Sequence, residues 1–423
     1  MLNSNDAFEL LQNATPGGSS VAEIFDGDTI RDRSRRIYDY VACGSSVNFN
    51  LDCANLENCA TYVVNTIKLN YPNLNVAHHS RWNHFNIRGT NHAQLLLNKI
   101  SSSEERLRVA LELVIISVFL DAGAGADWSF KDPVTGTSLN RSEGLALASL
   151  RMYEDGVFSN DPKNPYRVDF GKLMNFKVDL LIKYFQVNNV NFLVGVSGRT
   201  DIINGVGETI DAFSMIFEKN GDKRLGHIAD YFLSISSGDE ISLHKVFKSI
   251  LYIFSKIWRG KYFCGEINLG DTWEHPALQR YETFRGLIPF HKLSQWLTYS
   301  MIEPLEDFGL VLTETTKLTG LPEYRNGGLF MDLGVIAWKD RSFPAPAYPP
   351  SSPVIVEWRA MTVVLLDMLA VEVRRMLQKT ATDFPLTKVL EGGSWAAGRK
   401  IANELRPDCG SPPISIVSDA TVF

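Results

Sequence analysis

The stretch 103–120, SEERLRVALELVIISVFL, constrains this chain more than any other, because apolar residues come to occupy every side of its helical period. A helix of that kind is stable only when other elements cover it, so it is read as the buried centre of a globular protein. Its apolar run, 111–126, is broken by Glu112, Ser117 and Asp121 and is too short to span a bilayer. Helical periodicity recurs over 4–43, 51–69, 173–184, 200–217, 224–234, 241–257 and 289–302. Two short apolar runs, near 329–338 and 414–418, read as strand. The expected fold is mainly α, a multi-helix two-lobed globular protein with a small β element. Residues 258–288 show no period and read as the connection between an N-terminal helical lobe, 1–260, and a C-terminal helical lobe, 261–423, which carries most of the candidate site.

Composition narrows the function classes. With 45% hydrophobic and 21% charged residues in 423, the chain can bury a large core, and a net charge of −6 without basic blocks argues against a nucleic-acid surface. Five cysteines form no Cys-x-x-Cys pair, which fits a reducing compartment. The N-terminus has neither the basic region nor the apolar core of a secretory signal. These features together lead to the expectation of a cytoplasmic protein with no membrane partner.

Polar residues gather at a few breaks. In LPEYRNGGLFMD, 321–332, two carboxylates and a guanidinium surround a glycine pair. Pro322 disfavours helical geometry before it, and Gly327-Gly328 permits backbone angles or close approaches that other residues resist. The stretch is therefore expected as a turn, placing Glu323 and Arg325 at a pocket mouth with Tyr324 between them. His79, Arg81, Trp82 and His84 lie within HSRWNHF, where rings and a guanidinium suit a planar polar ligand. A core tryptophan with backbone-bonded histidines explains the same residues equally well. His79 and His84 are five apart with no carboxylate or thiol nearby, so no metal is expected. Asp121 ends the central helix before a glycine-rich turn, either at a pocket base or as a helix-end acceptor. Arg199 and Trp273 stand beside breaks. Lys292 and Gln295 share a face of the helix that Pro289 starts. Glu357 and Arg359 sit in a strongly apolar sequence, where charges are costly unless paired or used. Glu391 and Arg399 flank another double glycine, and Ser142 is read as the cap of a helix over 145–155.

The blocks HSRWNHF, LDAGAGADW, NRSEGLALASL, PFHKLSQWLTYSMIEPLE, LTGLPEYRNGGLFMDLGV, VEWRAMTVVLLD, VLEGGSWAAGR and the terminal SDATVF together resemble the uracil catabolism protein four family over nearly the whole chain. Departures occur at Asn83, at 88–92 and at Ala420. The resemblance implies a route in which uracil is first made into a ribonucleotide, a cyclohydrolase-like partner opens the ring, and ribosylurea follows. Lys292 and Gln295, then Glu323, Tyr324 and Arg325, then Glu357 and Arg359 are also similar in order and spacing to the core blocks of the queuosine salvage nucleoside glycosidases. That second resemblance implies a helical N-ribosidase fold and places Glu323 where that family has its catalytic aspartate.

Breaking a ribosyl C–N bond passes through an oxocarbenium-like state that a carboxylate must stabilise. The expected activity is hydrolysis of the N-ribosidic bond of ribosylurea or its phosphate, without a cofactor. Glu323 is the principal carboxylate, with Asp332 or Glu357 as partner. Lys292, Arg325 and Arg199 are expected on the ribose or a phosphate, and Trp82, His84 and Trp273 at the ureido end. Two alternatives stand beside it: amidohydrolase-type cleavage of the opened pyrimidine, using His79, His84 and Asp121, and a non-catalytic partnership with the ring-opening cyclohydrolase.

Overall fold

The structure is a computed structural model and describes residues 8–9, 11–13, 21–121, 123–125, 127–279, 284, 286–340 and 347–417. The terminal block 418–423, including Ala420, lies outside the described residues. Helices dominate, as expected from the periodicity. Those that frame the site are α1 (Gly27–Ala42), α2 (Leu56–Asn70), the single turn α3 (Arg81–His84), α4 (Ser103–Phe119), α5 (Arg141–Glu154), α6 (Lys292–Tyr299), α7 (Tyr324–Asp332), α8 (Pro353–Leu377) and α9 (Ala396–Leu405).

Helix α4 is buried at every position from Val109 to Phe119. The Ser102 hydroxyl accepts from the Glu105 amide at 3.2 Å, and Glu104 and Glu105 complement the first turn's positive end. Glu112, the charge inside this apolar helix, is fully paired: Arg224 donates to it at 2.7 Å, the Tyr153 hydroxyl at 2.9 Å and the Gly226 amide at 2.8 Å. Helix α8 is buried without a break from Val354 to Leu366. Pro353 opens it, where no amide is needed, and Gln378 closes it at φ 55°. Helices α1 and α2 both pack on α8. One cluster of buried side chains includes residues from both sides of position 260, from Leu11 to Ile414.

The β structure differs in its pairing from the expectation. Ile336–Trp338 pairs antiparallel with Phe49–Leu51, while Ile416 makes only an isolated parallel bridge to Tyr348. Residues 329–332 belong to α7, so the apolar run there is the buried face of a helix. The aperiodic segment after 258 contains two short antiparallel pairs, Phe263–Cys264 with Ile267–Asn268 and Thr272–Glu274 with Leu287–Pro289. No helix among the described residues is long and apolar enough to cross a membrane.

Candidate active site

Glu323 caps α7 from an extended conformation, and its carboxylate accepts the amides of Arg325 at 2.8 Å and Asn326 at 2.5 Å. The expected turn is thus a helix N-terminus, whose unpaired amides and dipole favour an anion. The two glycines that suggested a turn lie inside the helix, with helical backbone angles. Gly327 lets α7 rest on the Trp358 ring, since a Cβ there would stand 2.7 Å from Trp358 Cε2. Gly398 does the same for α9, where a Cβ would meet the Arg325 carbonyl oxygen at 2.3 Å.

A cavity of about 430 Å³ opens beside this cap. His79, His84, Asp121, Lys292, Glu323, Tyr324 and Arg325 all line it, although they come from four separate stretches of chain. Arg325 is fixed by donating to the Gly410 carbonyl at 2.7 Å and by lying 5.0 Å over the Tyr324 ring. Asp121 pairs with buried Arg81 at 2.5 Å. Arg81 also donates to the Ser142 carbonyl at 2.7 Å and to His84 Nδ1 at 3.2 Å, which leaves His84 its proton on Nε2. Burial, then the Arg81 charge, pull the His84 pKa down, so this ring is neutral near pH 7.

Arg141, Ser142, Trp296 and Trp395 are among the lining residues outside the expected set. The rings of His79 and Trp296 are 4.7 Å apart, and those of His79 and Trp395 are 5.6 Å apart. Trp395 ends a π-helical turn, Val389–Trp395, that also presents Glu391 to His79 Nδ1 at 2.6 Å and to the Asn83 amide at 2.7 Å. Such widened turns recur at functional sites. Helix α5 starts at Arg141, with Asn140 rather than Ser142 in the cap position. The available signals were the double glycine before Trp395 and the Trp at the step after Gln295.

Burial raises the Glu323 pKa, against the two amides and the charges of Lys292 and His79. Burial lowers that of Lys292, against Glu323 and Asp121. The pair therefore holds its charges less firmly than exposed side chains would, which suits groups that exchange protons. Among the described residues no three His, Cys, Asp or Glu side chains group closely enough to hold a metal ion.

The remaining candidates lie behind the wall or away from it. Arg359 grips buried Asp271 through two bonds of 2.7 and 2.6 Å and donates to the Pro322 carbonyl at 3.2 Å. Asp271 also accepts from Trp273 Nε1 at 2.7 Å and from the Lys292 amide at 3.0 Å. Gln295 bonds Thr319 through both ends of its amide, at 2.9 and 2.7 Å. Arg359 and Gln295 thus hold the chain immediately before Glu323, and Asp271 holds the start of α6. Arg199 is buried and donates to the carbonyls of Leu120, Gly123 and Val194. Trp82 packs edge-on against Phe85 in the core. Asp332 is taken by Arg406 at 2.9 and 2.5 Å, and Glu357 accepts from the Ser46 hydroxyl at 2.6 Å and His275 at 3.2 Å. Neither of these two carboxylates lines the cavity.

Residues 24–423 match the model of a family described as "Protein of unknown function (DUF1688)". The chain belongs to the DUF1688 family. Two curated relatives extend nearly end to end with it. "Protein urg3" of Schizosaccharomyces pombe is 36% identical over 417 residues, covering 96% of this chain and 99% of that one. "Uracil catabolism protein 4" of Lachancea kluyveri is 33% identical over 430 residues, covering 93% and 97%. The first resemblance drawn from the motif blocks is therefore correct, and the DUF1688 match spans every residue of the cavity.

Proposed function

We propose that this protein acts in uracil catabolism as a hydrolase that cleaves the N-ribosidic C–N bond of ribosylurea or its phosphate, giving urea and ribose or ribose phosphate. The pathway is suggested by the relative named for uracil catabolism. The observation that carries the reaction is Glu323, a carboxylate fixed by two backbone amides on the wall of a cavity it shares with Lys292. A carboxylate that cannot rotate away stabilises the positive charge that grows on C1 as the bond lengthens. Its raised pKa fits it to take a proton from water. The C1–N electron pair leaves on the urea nitrogen, which takes a proton from Lys292. Water adds its oxygen to C1 as Glu323 takes its proton, and return of that proton to Lys292 closes the cycle without redox change. In this reading Asp121 holds sugar hydroxyls and Arg325 a sugar hydroxyl or the phosphate, while His79, His84, Trp296 and Trp395 wall the ureido end. Asp332 and Glu357, held by their own partners, serve the fold.

Purified protein given ribosylurea and its phosphate should release free urea together with reducing sugar, and Glu323→Gln should lower that rate by about 10²- to 10⁴-fold. Release of ammonia or a three-carbon acid, with ribose still attached, would overturn this reading in favour of an amidohydrolase. Pathway flux left intact by Glu323→Gln would point instead to a non-catalytic partner of the ring-opening enzyme.

A further inference from the structure

The charges on the cavity wall do not balance. Arg141, Lys292 and Arg325 all line it, and none of the three has a carboxylate within ion-pairing distance among the described residues. Of the acids at the same wall, Asp121 is engaged by Arg81 at 2.5 Å, and Glu391 behind it by His79 at 2.6 Å. Glu323 accepts backbone amides and is the one lining carboxylate, among the described residues, with no cation within that distance. With Arg81 counted beside the Asp121 it pairs, the described wall carries two more cationic than anionic side chains. Like charges held together at a partly desolvated surface are costly, and the cost shows: burial first, then the neighbouring Arg325, pull the Arg141 pKa down. A bound dianion removes that cost.

Geometry locates where it would sit. Arg141 occupies the left-handed region at φ 53°, an energetically unfavourable conformation for a residue with a Cβ, and stands exposed at the mouth. It begins α5, a helix of 14 residues whose first two residues line the cavity and whose cap position makes no side-chain bond. Within its first turn the Glu143 amide is taken by its own carboxylate, which pairs with Arg399 at 3.0 Å; the positive end of the helix and the two guanidiniums, suited to forked contacts with oxyanions, remain for a ligand. The volume suits a pentose phosphate with a small substituent.

We propose that the site takes a phosphate monoester, seated between Arg141, Arg325 and the first turn of α5, so that the substrate class is the 5′-phosphate of ribosylurea rather than the free nucleoside. The assignment of the sugar to this cavity rests on the reading above; the phosphate seat has its own test. Titration calorimetry on the full chain with ribose 5-phosphate, ribose and inorganic phosphate should find ribose 5-phosphate bound at least about tenfold more tightly than either. Arg141→Met should remove about tenfold or more of that preference and leave the response to ribose unchanged, while Arg141→Lys keeps part of it. Ribose 5-phosphate bound no more tightly than ribose, no binding of any of the three, or full-strength binding to Arg141→Met would each overturn the proposal. The two readings fail separately. Urea released from unphosphorylated ribosylurea with undiminished kcat/KM would remove the phosphate seat and leave the glycosidase. Arg141-dependent binding of ribose 5-phosphate, with urea released from neither substrate, would do the opposite.

Discussion

Glu323 and Glu303 show how differently two carboxyls, one buried and one half-buried, are treated in one molecule. Glu323 meets two amides at a helix N-terminus, so its charge has partners even though burial raises its pKa. Glu303 has its own amide and the Ser80 hydroxyl, at 3.1 Å, as its donors, and desolvation outweighs both and pushes its pKa up to about 8. In the unfolded chain an exposed glutamate titrates near 4.5. A folded-state pKa above the unfolded one means that folding takes up a proton. The stability this contributes is fully present below pH 4.5 and is lost as pH rises through about 8. Urea denaturation at pH 6 and pH 9 should therefore show Glu303→Gln gaining on the wild type at the higher pH. The limit is several kcal/mol, at roughly 1.4 kcal/mol per pKa unit. Equal pH dependence in the two proteins would refute the burial argument.

At the scale of elements, the site is made by helices that touch closely because glycine lets them. Helix α9 crosses α7 where Gly398 faces the Arg325 carbonyl, and Arg325 lines the cavity from that same turn. Gly398→Ala has only backbone to push against, so it should cost about 1–3 kcal/mol in denaturant unfolding and displace the end of α7 that carries Glu323 and Arg325. Unchanged stability would mean that the crossing is looser than described. The same elements show how much the sequence discloses. The all-apolar period of 103–120 identified α4 because burial on every side leaves no polar stripe. Glu323, Arg325, Lys292, His79, His84 and Asp121 stood out as polar groups beside breaks in apolar text, and they share one cavity. Trp296 and Trp395 were not distinguishable from core residues, because an aromatic at helical spacing reads the same whether its ring meets protein or a hollow. Arg141 was hidden for the opposite reason, since an exposed arginine at a helix start is ordinary until the neighbouring charges are placed. The 321–332 turn was misread because a glycine pair reports close approach as readily as a bend, and the approaching Trp358 is some 30 positions away in sequence.

For the molecule as a whole, the ion pair of Arg359 with Asp271 ties α8 to the segment before α6, and through Pro322 to the cap of α7. Burial would raise the Asp271 pKa, but the Arg359 guanidinium overrides it and holds the carboxyl below its usual range. Removing one partner leaves a buried charge alone, so Arg359→Met should cost about 3–5 kcal/mol in denaturant unfolding. A loss under about 1 kcal/mol would show that the pair is not the tie described. In the proposed reading this arrangement places Glu323 beside a sugar's C1. That placement is tested most directly by NMR of ribosylurea 5′-phosphate carrying ¹³C at C1 and ¹⁵N in the attached nitrogen. With wild-type protein the one-bond coupling at C1 should disappear as free urea accumulates, and with Glu323→Gln it should persist. Coupling retained at C1 while ammonia is released would contradict the account.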